Sequence, residues 1–366
     1  MKAYISAMGL SNPPNRISQR QVAEFMVKAH QLEGDAAHRL KALYRATGIG
    51  HRYSVLNDYA KSLGEFEFYS NQLNLEPFPS TAERMAIYRP AALKLGTEAI
   101  ERCLAGGQVP SSQITHLITV SCTGMYAPGL DLDLVNALSL PTSIERTAIN
   151  FMGCYAAMNA LKVGRSICQA QPEANVLILC LEICSIHFQK EPTEDYLLSN
   201  ALFGDGAAAV LLQSQPNHER ALQLVSAHCG LLPSSQESMA WEIGNLGFEM
   251  KLASYVPDLI GEGIQRLTQN LLSQAKIATT AIDFYAIHPG GKKILGKAEE
   301  ALGICKQQNL PAHQVLREYG NMSSPTILFV LKKIWDQLGD QDREKHILAF
   351  AFGPGLTLES MLFKVS

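Results

Sequence analysis

Cys154 stands in INFMGCYAAMNAL (149–161), where a β-branched apolar run gives way to small and helix-forming residues. A helix N-terminus carries partial positive charge and free N–H groups, so a thiol placed there gains thiolate character. Gly153 before it, with Ala156 and Ala157 after it, leaves room for a substrate carbonyl. His288 ends the apolar run IDFYAIH and meets Pro-Gly-Gly, which puts it on a sharp turn instead of a regular core position. Asn321, in YGNMSSPT, precedes another helical run. Thiol, imidazole and amide together can carry acyl transfer, as nucleophile, base and donor to a developing oxyanion. Each also has a plainer reading: a packed thiol, a loop histidine and a helix cap.

These residues have to be positioned by an alternation of helices and short apolar strands, which implies an α/β fold with strands covered on both faces. The order of elements repeats coarsely. A helix (YRPAALKLGTEAIERCL), the strand ITHLITVS, the helix DLDLVNALSL and the segment TAINFMG lead to the helix from Cys154 and the strands NVLILCLE and AAAVLLQ. The second half runs GEGIQRLTQNLLSQA, IDFYAIH, KKILGKAEEAL, a short segment around LREYG, SSPTILFVLKKIWDQL, HILAFAFG and LTLESMLFKV. The halves are set at 1–219 and 220–366. Cys154, His288 and Asn321 then fall at strand ends and helix starts, where a two-fold arrangement brings loops together. The least regular stretch, CGLLPSSQESMAWEIGNLGFEM (229–250), is expected to cover a site.

The 366 residues are 47% hydrophobic and 18% charged, a globular balance, and the formal net charge is −3 with no Lys/Arg block. Nucleic acid is therefore not an expected partner. The start has too short an apolar run for a signal peptide, and no stretch approaches the roughly 18–20 apolar residues of a membrane span. A cytoplasmic protein is expected. The cysteines at 103, 122, 154, 168, 180, 184, 229 and 305 are expected as reduced thiols. In CLEICSIH, a strand would place Cys180 and Cys184 on one face and His187 on the other, which argues against zinc. FGDGAAA and FGPG lack the length and lysine of a phosphate loop, and neither GxSxG nor HExxH occurs.

Together the pieces resemble the type III polyketide synthases, the chalcone-synthase-like enzymes of the thiolase fold. The resemblance covers nearly the whole chain and is carried by GCYAAMNAL (153–161), ALFGDGAAAV (201–210), HPGG (288–291), GNMSS (320–324) and FGPGLT (352–357). It implies a duplicated five-layer αβαβα architecture and a catalytic set of Cys154, His288 and Asn321. Phe203 and Phe248 are implied as the pair flanking the nucleophile. No metal or bound cofactor is implied; acyl-CoA and malonyl-CoA are the substrates, and a homodimer is expected.

By the same resemblance, cavity positions fall on Cys122, Cys184, Ile186, His187, Met239 and Ser323, with Ala127 where many relatives carry a methionine reaching the partner's cavity. Arg39, Lys41 and Arg45 are candidates for the coenzyme A phosphates, or simply a solvated helix face. Met239 narrows the cavity while Cys122, Cys184 and Ala127 leave space. That pattern suggests a fatty acyl starter, two or three malonyl extensions and an alkylpyrone or alkylresorcinol product. The alternatives are a malonyl-primed naphthalene-type synthase, a single-condensation ketoacyl-carrier-protein synthase III, and a catalytically silent lipid-binding protein of the same fold. A hydroxymethylglutaryl-CoA synthase would need a glutamate acid that the match does not offer.

Overall fold

The runs VLILCLEI (176–183) and DGAAAVLLQ (205–213) are buried along their full length, which requires cover on both faces. A computed structural model describes residues 2–216, 220–232, 239–253 and 255–366. The expected boundary after residue 219 lies outside the described residues.

The first half contains β1 (Tyr4–Ser11), β2 (Asn15–Ser18), α1 (Gln19–Ala29), α2 (Gly34–Ala46), β3 (His51–Ser54) and α3 (Thr81–Gly107). It continues with β4 (His116–Ser121), α4 (Leu130–Ala137), β5 (Glu145–Asn150), α5 (Ala156–Ala170), β6 (Val176–Ile183), α6 (Glu194–Leu202) and β7 (Asp205–Gln213). The second half contains β8 (Leu222–Leu231), β9 (Met239–Gly244), β10 (Gly247–Leu252), α7 (Val256–Ala275) and β11 (Ile282–Ile287). It ends with α8 (Lys292–Leu302), α9 (Leu310–Tyr319), α10 (Thr326–Trp335), β12 (His346–Gly353) and β13 (Thr357–Val365).

The sheet order β5-β4-β6-β7-β1 in the first half is matched by β11-β12-β13-β8 in the second, with the same pattern of parallel and antiparallel pairs. The sheets join at one corner, where Tyr4 and Ile5 pair with Gln223 and Leu222. The segment around LREYG, matched in the sequence to the β5 region, is the helix α9 instead, so among the described residues β5 has no counterpart.

Helices α5 and α10 form the middle layer, each touching both sheets. Their sequences suit that place differently. In α5, Ala156, Ala157, Ala160 and Gly164 are buried and let the sheets close in. In α10, the six residues from Thr326 to Leu331 are all buried, so this helix is apolar around its circumference. Helices α3 and α4 cover the outer face of one sheet, and α7 with α8 covers the other, completing five layers.

Glu182 ties the halves together at the level of the site. It has no exposure, and burial pushes its carboxyl up to about 7. Its oxygens accept from the Cys122 N–H at 2.9 Å, Thr123 Oγ1 at 2.8 Å and, across the molecule, Ser324 Oγ at 2.7 Å. It lies behind the wall of the site, not on it.

Candidate active site

Cys154 sits in a 3₁₀ turn, Gly153–Tyr155, that feeds α5. Gly153 has φ +72°, and a Cβ there would lie 2.3 Å from Pro354 Cδ. Glycine is thus required both for the turn and for close approach of the FGPG loop. The Gly153 N–H donates to Cys122 Sγ at 3.1 Å, and the Cys154 thiol donates to Ser323 Oγ at 3.6 Å.

His288 follows β11, and its backbone N–H donates to the Phe350 carbonyl on β12 at 2.9 Å. The side chain is buried, and among the described residues neither ring nitrogen has a partner. Both remain available to a substrate. Asn321 lies in the turn between α9 and α10. Its Oδ1 accepts from the Ser323 N–H at 2.8 Å and its Nδ2 donates to the Gly290 carbonyl at 3.3 Å, which orients the amide. Ser323 adopts φ +57°, a left-handed conformation that a serine holds only when its surroundings enforce it. Thr326 Oγ1 does so, donating to the Ser323 carbonyl and accepting from the Met322 N–H, each at 2.8 Å. A two-bond bridge sets Phe203 opposite Asn321: Gly204 N–H donates to the Asn321 carbonyl (2.9 Å), and Asn321 N–H to the Leu202 carbonyl (3.0 Å). Arg52 Nη1 also holds the Phe203 carbonyl.

Cys154, His288 and Asn321 line one chamber of about 30 Å³, together with Cys122, Cys184, Phe203, Met239 and Ser323. Burial pushes the Cys154 thiol up to about 12, opposed by hydrogen bonds from Ser323 and Asn321. Burial alone pulls His288 down to about 3. A lone thiolate or a lone imidazolium is therefore disfavoured.

Two expectations are corrected. Strand β6 ends at Ile183, and Cys184–His187 form a 3₁₀ turn. In such a turn residues three apart eclipse, so Cys184 and His187 share one side and both line a second chamber of about 50 Å³. Ile186 points the other way, into the core of the first half, and lines neither chamber. His187 is locked: its Nε2–H donates to the Thr123 carbonyl at 2.7 Å and its Nδ1 accepts from the Phe248 N–H at 2.9 Å. Phe248 stacks on that ring at 4.4 Å and lines only the second chamber, whereas Phe203 lines both. Position along β10 accounts for this, since 248, 250 and 252 share a face, with Phe248 at the second chamber, Met250 at both and Leu252 at the chamber of Cys154.

The three basic residues expected at the coenzyme A phosphates do not line the pocket next to this chamber. An outer pocket of about 140 Å³ shares Leu252, Gly290 and Ile294 with the catalytic chamber, and α2 offers it Leu43, Ala46 and Thr47. Helical periodicity turns Lys41 and Arg45 elsewhere, Lys41 to Glu24 at 2.9 Å, and Arg39 lies a turn beyond the pocket. The lysines at its mouth are Lys292 and Lys293.

The segment expected to be irregular is, where described, the end of β8 and then the ribbon β9–β10, whose inner face does cover the chamber with Met239, Trp241, Met250 and Leu252. Residues 233–238 lie outside the described residues. Trp241, Met250 and Glu182 were not singled out from the sequence. The alternation Met239-Trp241-Ile243 against Phe248-Met250-Leu252 across GNLG was the available hairpin signal.

Models of the chalcone and stilbene synthases match the chain over both of their parts, the N-terminal domain over residues 1–216 and the C-terminal domain over 223–366. A "Probable polyketide synthase 1" from Dictyostelium discoideum is 28% identical over 99% of this chain, which spans 11% of that much longer relative. An "Alpha-pyrone synthesis polyketide synthase-like Pks18" from Mycobacterium tuberculosis is also 28% identical, over 99% of this chain and 91% of its own length. Among solved structures, PKS-I from the brown alga Ectocarpus siliculosus superposes with a TM-score of 0.92 at 28% identity, covering 99% of this chain and 98% of the other. The C-terminal type III polyketide synthase domain of Steely1 from Dictyostelium gives 0.91 at 27% identity, over 100% and 99%. With both halves matched and the thiolase-like layers in place, this chain belongs to the chalcone and stilbene synthase family, the type III polyketide synthases, which are acyl-transferring condensing enzymes.

Proposed function

We propose that this chain loads a fatty acyl group from coenzyme A onto Cys154, extends it with two or three malonyl units and releases an alkylpyrone or alkylresorcinol. Iterative condensation of malonyl-CoA is general to the family; the starter, the product and the residue roles are our reading. In that reading His288 takes the Cys154 proton as sulfur attacks the acyl-CoA carbonyl, then returns it to the departing coenzyme A thiolate. Malonyl-CoA next loses carbon dioxide, leaving an enolate whose oxygen accepts from His288 Nε2–H and from the second hydrogen of Asn321 Nδ2. The enolate carbon attacks the Cys154 thioester, a C–C bond replaces the C–S bond, and the chain leaves on coenzyme A. Lys292 and Lys293 would meet the coenzyme A phosphates at the outer pocket.

The observation that carries the starter assignment is the order of three spaces. The outer pocket adjoins the catalytic chamber through Leu252, Gly290 and Ile294, and that chamber adjoins the second one through Cys184, Phe203, Trp241 and Met250. A thioester held at Cys154 would have its coenzyme A arm on one side and an acyl chain on the other, toward Ile17, Val22, Met26 and Phe188. The name of the mycobacterial relative, α-pyrone synthesis, is in keeping with a pyrone product. One observation favours malonyl priming instead. A chamber of about 30 Å³ holds only about two waters, so a long chain has to displace unbranched side chains such as Met239 and Met250.

Homodimer assembly is part of the same proposal. Strand β5 is the sheet edge and is exposed along nearly its whole length, and half-open beside it is a cavity of about 520 Å³ lined by Met125, Tyr126, Ala127 and Asn150. An uncovered edge of this kind invites a partner.

Four outcomes are expected. With ¹⁴C-malonyl-CoA, kcat/KM should rise from acetyl to hexanoyl to dodecanoyl starters, by up to about fourfold per buried methylene; a preference for malonyl or benzoyl starters refutes the fatty chain. Asn321→Ala should slow malonyl-CoA decarboxylation by about 100-fold or more while Cys154 still loads acyl groups; equal loss in both half-reactions removes its oxyanion role. His288→Ala should shift the pH dependence of Cys154 alkylation by iodoacetamide toward alkaline pH, because the upward push of burial loses its cationic counterweight. An unchanged profile would falsify the proton transfer. Sedimentation at micromolar concentration should give a dimer, and a monomer contradicts the assembly.

A further inference from the structure

We propose that Trp241 is the partition that sets how far an acyl chain runs past the nucleophile. The inference rests on the chain-beyond-Cys154 reading above and deepens it. Of the four side chains common to the catalytic and second chambers, Trp241 is the largest. Cys184 is small. Phe203 is fixed at its backbone by the bridge to Asn321, and its ring is smaller than the indole. Met250 pairs directly with Trp241 across the ribbon and is flexible.

Trp241 is held on several sides. Its Nε1–H donates to the Cys122 carbonyl at 2.5 Å, and Cys122 Sγ in turn accepts from Gly153, the residue before the nucleophile. The indole meets His187 edge-on at 5.9 Å and Phe248 edge-on at 6.1 Å. His187 and Phe248 are themselves fixed by the bonds to Thr123 and to each other. The ring therefore does not rotate freely out of the wall. It also belongs to a ribbon that carries none of Cys154, His288 and Asn321, so shortening it joins the two chambers without touching the backbone of those three. Chain length would be limited where the indole stands, and the space behind it, toward Ile17 and Met26, would become usable on its removal.

The test is the starter-length profile of Trp241→Ala, Trp241→Phe and wild type, measured as kcat/KM for hexanoyl-, dodecanoyl- and hexadecanoyl-CoA with product lengths by mass spectrometry. In Trp241→Ala the hexadecanoyl-to-hexanoyl ratio should rise at least tenfold, and Trp241→Phe should keep the wild-type limit because the ring bulk remains. If Trp241→Ala, shown folded by a cooperative thermal transition, leaves the ratio and the product lengths unchanged, the partition is wrong. It is equally wrong if Trp241→Phe shifts the ratio as far as Trp241→Ala does, since the indole N–H and not the ring would then be responsible. Should Trp241→Ala not fold, Met250→Ala thins the same wall and must move the ratio in the same direction. A wild type that accepts only malonyl-CoA refutes the starter reading but leaves the partition testable. Trp241→Ala must then release products with more malonyl units, and unchanged products overturn it.

Discussion

Cys154 comes from one half of the chain, His288 and Asn321 come from the other, and hydrogen bonds across the seam hold the halves in register. The two-bond bridge between the Leu202–Gly204 backbone and Asn321 is the most direct of these, because one of its members is a catalytic candidate. Glu182 adds a second tie, drawing the loop after β4 and the Ser323–Ser324 turn onto one buried carboxyl. A shift of about 1 Å at this seam would separate groups that work only together. The buried middle helices and the stacked sheets serve to make that seam rigid.

The same burial that gives rigidity also sets the chemistry. A chamber closed by the Phe203 ring and the Met239, Trp241 and Met250 side chains keeps bulk water from a thioester. It also makes any single charge costly, which is visible in the upward push on the Cys154 thiol and the downward pull on His288. Charge can exist there as a pair or as a species met by aimed donors. In the mechanism proposed here, loss of a carboxylate as neutral carbon dioxide suits those conditions, and decarboxylation itself generates the carbanion.

Substrate preference is a matter of walls, and the walls come from the parts least constrained by the catalytic geometry. The ribbon β9–β10 contributes Met239, Trp241, Met250 and Leu252 by simple strand alternation, while Cys154, His288 and Asn321 sit on turns before α5, after β11 and before α10. These wall residues lie on a ribbon that carries none of Cys154, His288 and Asn321, although Trp241 is bonded to the Cys122 carbonyl. Lys292 and Lys293 stand similarly apart, at the outer pocket.

What the amino-acid order determined alone was whatever depends on local pattern. The fully apolar strands, the repeated order of elements and the turn chemistry around Gly153, His288 and Asn321 are local, and the α/β duplication was legible from them; that Cys154, His288 and Asn321 act as a set came only from the resemblance to the type III polyketide synthases, because each has a plainer local reading. A strand that stops one residue early is not legible in that way. The 3₁₀ turn at Cys184–His187 is held by Ser185 bonded to Asp205 and by His187 bonded to Thr123, partners 20 and 64 residues away in the chain. That turn sends Ile186 into the core and brings His187 under Phe248. The place of Phe248, the anchoring of Trp241 on the Cys122 carbonyl and the meeting of Lys292 and Lys293 with α2 were likewise decided by tertiary packing, because each depends on a contact between segments far apart in sequence.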